Sequence, residues 1–74
     1  MKGHYDPEAD AIYLGLAETA VASTIEPAPG FLLDLDQDGR VVGVEILHAS
    51  DSVANPSRID FETFRPPTVL KRAG

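Results

Sequence analysis

The sequence predicts a mainly β fold: one small domain of 74 residues, a four- or five-stranded antiparallel β-meander with a short C-terminal helix or an extra strand packing on its apolar face. Three observations carry this expectation. Five short segments rich in β-branched, aromatic and leucine residues recur at intervals of about ten, separated by turn formers. Within them apolar and polar residues alternate with the period of a strand, not of a helix. None of these segments has the length of an ordinary helix.

The first segment is residues 2–6, closed by DPEAD, where Pro7 presets φ for a type I turn and Asp6 can bond the backbone two residues on. Residues 11–16 follow, with Ile12, Leu14 and Leu16 pointing one way and Ala11, Tyr13 and Gly15 the other. Residues 20–26 continue the alternation more weakly through Val21, Ser23 and Ile25. EPAPG at residues 26–30 then forces a turn or an irregular edge, because proline cannot donate to a ladder. The fourth and fifth strands are expected at residues 31–36 and 40–47.

Between these last two lies DLDQDGRVVGVE, residues 34–45, which matches the calcium loop of an EF-hand letter for letter, including Gly39 and a glutamate at the closing position. An EF-hand needs a helix on each side. Pro27, Pro29 and Gly30 deny the entering one, and Val41, Val42, Val44 and Ile46 make the exit among the least helical compositions available. The alternative is a hairpin in which Asp38-Gly39 forms a two-residue turn. Gln37 then faces Arg40, Leu35 faces Val42, Leu33 faces Val44 and Phe31 faces Ile46, whereas a slip of one residue would mix apolar and polar faces. Asp34, Asp36, Gly43 and Glu45 share the opposite, more polar face. No metal site is assigned; Asp34, Asp36, Asp38 and Glu45 are weak candidates, since clustered carboxylates can collect a cation without an EF-hand.

After residue 47 the pattern breaks at HASDSVANPS, where Ser50 could cap one helical turn before Asn55-Pro56 stops it. Residues 58–64 read two ways: Ile59, Phe61 and Thr63 alternate as in a strand, while Ser57 with Asp60 suits a capping box. The domain is therefore divided into a β-meander at residues 1–50, a packing segment at 51–65 and a frayed tail at 66–74. Its apolar face is expected to comprise Ile12, Leu14, Leu16, Phe31, Leu33, Leu35, Val42, Val44 and Ile46. Val53, Ile59, Phe61 and Phe64 of the packing segment, a second copy, or both would cover it.

A chain this small removes only about 60% of its unfolded surface from water, so it needs support from elsewhere. The sequence has no cysteine, which excludes disulfides, thiolate metal sites and cysteine nucleophiles. Self-association is the remaining common remedy, and a homo-oligomer, a dimer, is expected. No apolar run reaches membrane-span length and the N-terminus lacks a signal peptide's apolar stretch, so a cytoplasmic protein with no membrane partner is expected. Charge is uneven. Residues 1–55 carry ten acids against Lys2 and Arg40, a balance of −8, while residues 56–74 carry Arg58, Arg65, Lys71 and Arg72 against Asp60 and Glu62, a balance of +2. An acidic body repels phosphates and argues against nucleic acid as a partner of the folded part.

Other chemical constellations are thin. Asp6, Glu8 and Asp10 group three carboxylates at a turn, without the contrasting environments that paired acid and base require. His4 and His48 lack metal-ligand spacing, and there is no glycine-rich phosphate loop. No catalytic residue and no cofactor are assigned.

Tyr5-Asp6-Pro7, Glu8-Ala9-Asp10 with Ile12-Tyr13-Leu14, and Asp34, Asp36, Asp38-Gly39-Arg40, Gly43 and Glu45-Ile46-Leu47 together resemble a family of small prokaryotic proteins, domain of unknown function 2283. The resemblance covers about residues 1–50. His48 departs from it, standing where the family usually shows an acid before Ala49-Ser50. It implies a compact β-rich unit and no reaction. Two functional readings follow: a non-enzymatic protein-binding module acting through self-association and an acidic surface that docks a basic protein, as in an antitoxin, or a divalent-metal-dependent ligand-binding or hydrolytic domain using the Asp34, Asp36 and Glu45 face.

Overall fold

The computed structural model describes residues 1–65. Five antiparallel strands form one open sheet: β1 (Lys2–Asp6), β2 (Ala11–Gly15), β3 (Ser23–Ala28), β4 (Phe31–Leu35) and β5 (Val41–Leu47), followed by a single helical turn, α1 (Ala49–Ser52). The mainly β expectation with a short helix toward the C-terminus is met. Strand ends move by a few residues, most in β3, which starts at Ser23 rather than residue 20.

Across the sheet the order is β1-β2-β5-β4-β3, so β2 pairs with β5 where a consecutive meander would pair it with β3. Proline explains the exchange. Pro27 lies within β3 and has no N–H to give, which confines β3 to an edge. β2 and β5, each left with one open side by its hairpin partner, then meet, placing Ile12 opposite Ile46 and Leu14 opposite Val44.

Each turn uses its sequence as chemistry requires. Asp6 Oδ1 accepts from the N–H groups of Glu8 and Ala9 at 3.0 and 3.4 Å, closing β1–β2. Pro29-Gly30 joins β3 to β4 with Gly30 at φ 81°, the conformation a type II turn demands at its third residue. Gly30 N–H is held by Glu26 Oε2 at 2.9 Å.

The β4–β5 connection is the predicted hairpin, corrected in its turn. The loop has three residues, Gln37, Asp38 and Gly39, because Gly39 N–H donates to Asp36 O at 3.0 Å while Asp36 N–H donates to Arg40 O at 2.9 Å. Gly39 is left-handed at φ 83°, as the glycine of this loop type must be. Asp36 therefore faces Arg40, and Gln37 does not. Leu35 pairs with Val41 instead of Val42, and one extra residue on β5 restores the predicted register from Asp34 onward: Asp34 with Gly43, Leu33 with Val44, Phe31 with Ile46. The bulged Val42 is almost fully buried, and its carbonyl accepts from Leu16 and Ala17 N–H at 2.8 and 3.3 Å, prolonging the bonding of β2.

Registers define the two faces. On one, Gly3, Leu14, Val44, Leu33 and Ile25 form a row across all five strands, beside a second row of Tyr5, Ile12, Ile46 and Phe31. On the other lie His4, Tyr13, Glu45 and Leu32, beside Lys2, Gly15, Gly43, Asp34 and Thr24. Residues 58–64 settle as neither strand nor helix; they run irregularly and exposed after Arg58 N–H donates to Asn55 O at 3.2 Å. The expected frayed tail, residues 66–74, lies outside the described residues. No helix among the described residues is long and apolar enough to cross a membrane.

Candidate functional site

The carboxylates singled out in the sequence are distributed among three separate local structures. Asp36 serves the hairpin turn: its side chain is 7% exposed, and Oδ1 accepts from both Asp38 N–H and Arg40 N–H at 2.9 Å. A bent loop leaves these amides without ladder partners, and an aspartate two residues upstream is the cheapest acceptor. Asp38 stays exposed at the tip.

Asp34 belongs to a different network on the polar face. Thr24 Oγ1 donates to its Oδ1 at 2.7 Å from β3, and Tyr13 Oη donates to its Oδ2 at 3.3 Å from β2. To reach it, the phenol must cross β5, and it crosses over Gly43. A Cβ on Gly43 would overlap the Tyr13 hydroxyl, lie 2.9 Å from Cζ and stand 3.1 Å from Asp34 Oδ2. Burial foremost, then the hydrogen bond to Asp34, raises the Tyr13 phenol above its ordinary pKa. His4 flanks the ring, centroids 5.9 Å apart and tilted by 37°. Glu45 lies on this face opposite Tyr13 and Leu32, with no hydrogen bond to Asp34 or Asp36. Among the described residues no group of three or more histidine, aspartate or glutamate side chains is placed to hold a metal ion. The four weak metal candidates are thus not gathered into one centre.

The third structure is a clasp built on Asp10. Its backbone is left-handed at φ 54°, and its carboxylate accepts from Tyr5 Oη at 2.7 Å, Ser50 Oγ at 2.7 Å and Ser50 N–H at 3.1 Å. Asp10 O also accepts from Ala49 N–H at 2.8 Å. The expected cap by Ser50 is therefore inverted: α1 begins at a left-handed His48 with no side-chain cap, and Asp10 satisfies the first turn from across the chain. Hydrogen bonds from Ser50 and then Tyr5 hold the Asp10 carboxyl below the usual carboxylate range; the Tyr5 phenol is raised, first by its bond to Asp10. Ala49 is completely buried beneath this clasp. Asp6 and Glu8, grouped with Asp10 in sequence, remain exposed at the turn.

A family model described as "Protein of unknown function (DUF2283)" matches residues 2–50. The chain belongs to this family. The match opens with β1 and closes on Ser50, so it takes in the whole sheet and the far partner of the Asp10 clasp. No curated protein and no solved structure matches the chain. In this DUF2283 chain the segment from residue 51 onward lies outside the family match.

The surface with unmet physical demand is the apolar face. Its two rows are half-buried at best, and no large side chain is fully buried among the described residues. Among the described residues only Val42 and Ala49 are buried apolar side chains. Sequence reasoning found most of this face and missed Tyr13, Thr24 and Gly43 as a unit. One signal was present: a lone glycine in the β-branched run VVGVE marks a position where another group comes close.

Proposed function

We propose that this chain is a non-enzymatic binding module that acts by self-association through its apolar sheet face and offers its acidic surface to a basic protein partner, in the manner of an antitoxin. The observation that carries the reading is a five-stranded sheet whose apolar rows are half-exposed and whose buried apolar core, among the described residues, amounts to Val42 and Ala49. A single-layer sheet of this kind gains most by burying its apolar side against a second layer. The carboxylates of Asp10, Asp34 and Asp36 are engaged in holding turns, strands and helix together, which suits a scaffold better than a reaction centre. The balance of −8 over residues 1–55 would steer a basic partner toward the sheet.

Light scattering across a concentration series tests the first half. A mass twice the 7.9 kDa of the chain is expected, and a single-chain mass throughout would overturn it. Affinity capture at low and high ionic strength tests the second, with a basic protein retained at low salt and released at high salt. Retention that ignores salt would remove the electrostatic argument.

A further inference from the structure

This inference deepens the self-association above and rests on it. The described segment after α1, residues 53–65, runs over one half of the apolar face. Val53, Pro56 and Ile59 stand across an open cleft of about 270 Å3 from Ile12, Leu14 and Ile46, and Phe61 borders a second of about 360 Å3 beside Gly3 and Leu14. Neither cleft is lined by a residue of β3 or β4. Among the described residues nothing lines a cleft over the half built from Ile25, Phe31 and Leu33, while Phe61 and Phe64 are 74% and 85% exposed.

We propose that two copies pair face to face about a two-fold axis, residues 56–65 of each lying over the β3–β4 half of the other's apolar face, with Phe61 and Phe64 against Ile25, Phe31 and Leu33. Area favours a second copy as the occupant. Aromatic side chains present roughly 150–250 Å2 each, so the two phenylalanines leave on the order of 300 Å2 of apolar surface in water. Ile59, Met1 and Ile25, exposed by 66%, 76% and 45%, add roughly as much again. A standard interface takes about 800 Å2 from each partner, and the half-buried row of Leu33 and Phe31 supplies the remainder.

A two-fold contact needs both halves of a complementary pair on one chain. Here the exposed Phe61 and Phe64 and the half-buried row they would cover belong to the same chain.

The chain contains no cysteine, which allows a direct test by paired substitution. Phe64→Cys and Ile25→Cys are made on separate chains, mixed and oxidised, with light scattering of the wild type alongside. The expected result is a double-mass wild type and a disulfide-linked product joining the two different variants in preference to either with itself. A double-mass wild type with no preference for the mixed product overturns the arm exchange and leaves self-association standing. A single-chain mass overturns both, and points to another kind of occupant. Placing both cysteines on one chain gives the complementary measurement: a ring closed within single chains at high dilution, with no linked pairs at higher concentration, overturns the exchange. Phe61→Ser with Phe64→Ser, both exposed in the lone chain and so tolerated by the fold, is expected to weaken dimerisation at least tenfold; an unchanged dissociation constant overturns the proposal.

Discussion

The two faces of the sheet are held in opposite ways. On the polar face, directional bonds from Tyr13 and Thr24 converge on Asp34 across the four strands β2 to β3, over a glycine that leaves room for the phenol and nothing else. On the apolar face, Leu33, Val44 and Leu14 stand in a row that is only half-buried, with the open clefts of the arm over Leu14 alone of the three. The difference teaches which side is finished. Hydrogen bonds saturate once each donor has its acceptor, so the polar face needs nothing added. Apolar surface gains with every square ångström withdrawn from water, so the other face remains open to a second layer.

The largest effect expected from a single substitution is on the open face. Leu33→Asp places a carboxylate in the middle of the apolar row, and when that row is covered the loss should be about 3 kcal/mol or more, with the mass falling to that of one chain. Its neighbour Leu32 is equally half-buried but points to the polar face beside Glu45, where Leu32→Lys should change stability by no more than about 0.5 kcal/mol. Denaturant melts of both variants with light scattering check the pair. Equal costs would break the contrast between the faces.

Next comes the finished face. Gly43→Ala forces a methyl into the space of the Tyr13 phenol and should destabilise by about 1–3 kcal/mol. Adding Tyr13→Leu removes the obstruction, so the double variant should lose less than the two single losses added together. Additive losses would mean that the glycine is needed for its backbone rather than for the ring above it.

The clasp sets a smaller effect with a pH signature. Asp10→Asn should lower the melting temperature by a few degrees at neutral pH, of the order seen when a helix loses a cap, and unravel α1 first. Because the folded chain holds the Asp10 carboxyl below its ordinary pKa, its contribution is complete above the usual carboxylate range and disappears as pH falls through the lowered value. Wild type and variant should therefore converge in acid. Tyr5 and Tyr13 are raised, so their contribution is present below the ordinary phenol range and lost at more alkaline pH, from about 10 upward. Thermal melts over pH 3 to about 11 read both limbs.

How much of this was legible in the sequence follows from which interactions are local. The strands were, because alternation of Ile12 and Leu14, or of Leu33 and Phe31, is a local record of a buried side. The β4–β5 register beyond Asp34 was, because only one offset keeps apolar residues together. The two-residue turn expected at Asp38-Gly39 is one residue shorter than the observed loop: that pair suits either, and what decides is the Asp36 carboxylate reaching the Arg40 amide, with Val42 bulging to compensate. The placing of β2 beside β5 was readable in principle from Pro27, which marks an edge strand. The Asp10 clasp and the Tyr13–Asp34–Thr24 network were not, since residues 40 and 21 positions apart meet only once the sheet exists. The open apolar face was visible as composition, but its division into a half beneath the arm and a half without one needed the strand order.

Thr24→Val is the smallest change that still separates the faces. Valine keeps the shape and β-branching of threonine, so strand propensity is preserved and only the hydroxyl is lost. That hydroxyl donates to Asp34 from an exposed position on edge strand β3. Water can replace a bond at such a site, and the loss should be about 0.5 kcal/mol, the low end for a hydrogen bond. Asp34 would still accept from Tyr13, so the carboxylate keeps a partner and the strand order stands. Amide hydrogen exchange sharpens the reading: β3 protection should fall while β2 and β5 protection holds. Should β2 and β5 loosen as well, the network would be cooperative across four strands, and the polar face would be tuned as one unit rather than satisfied bond by bond.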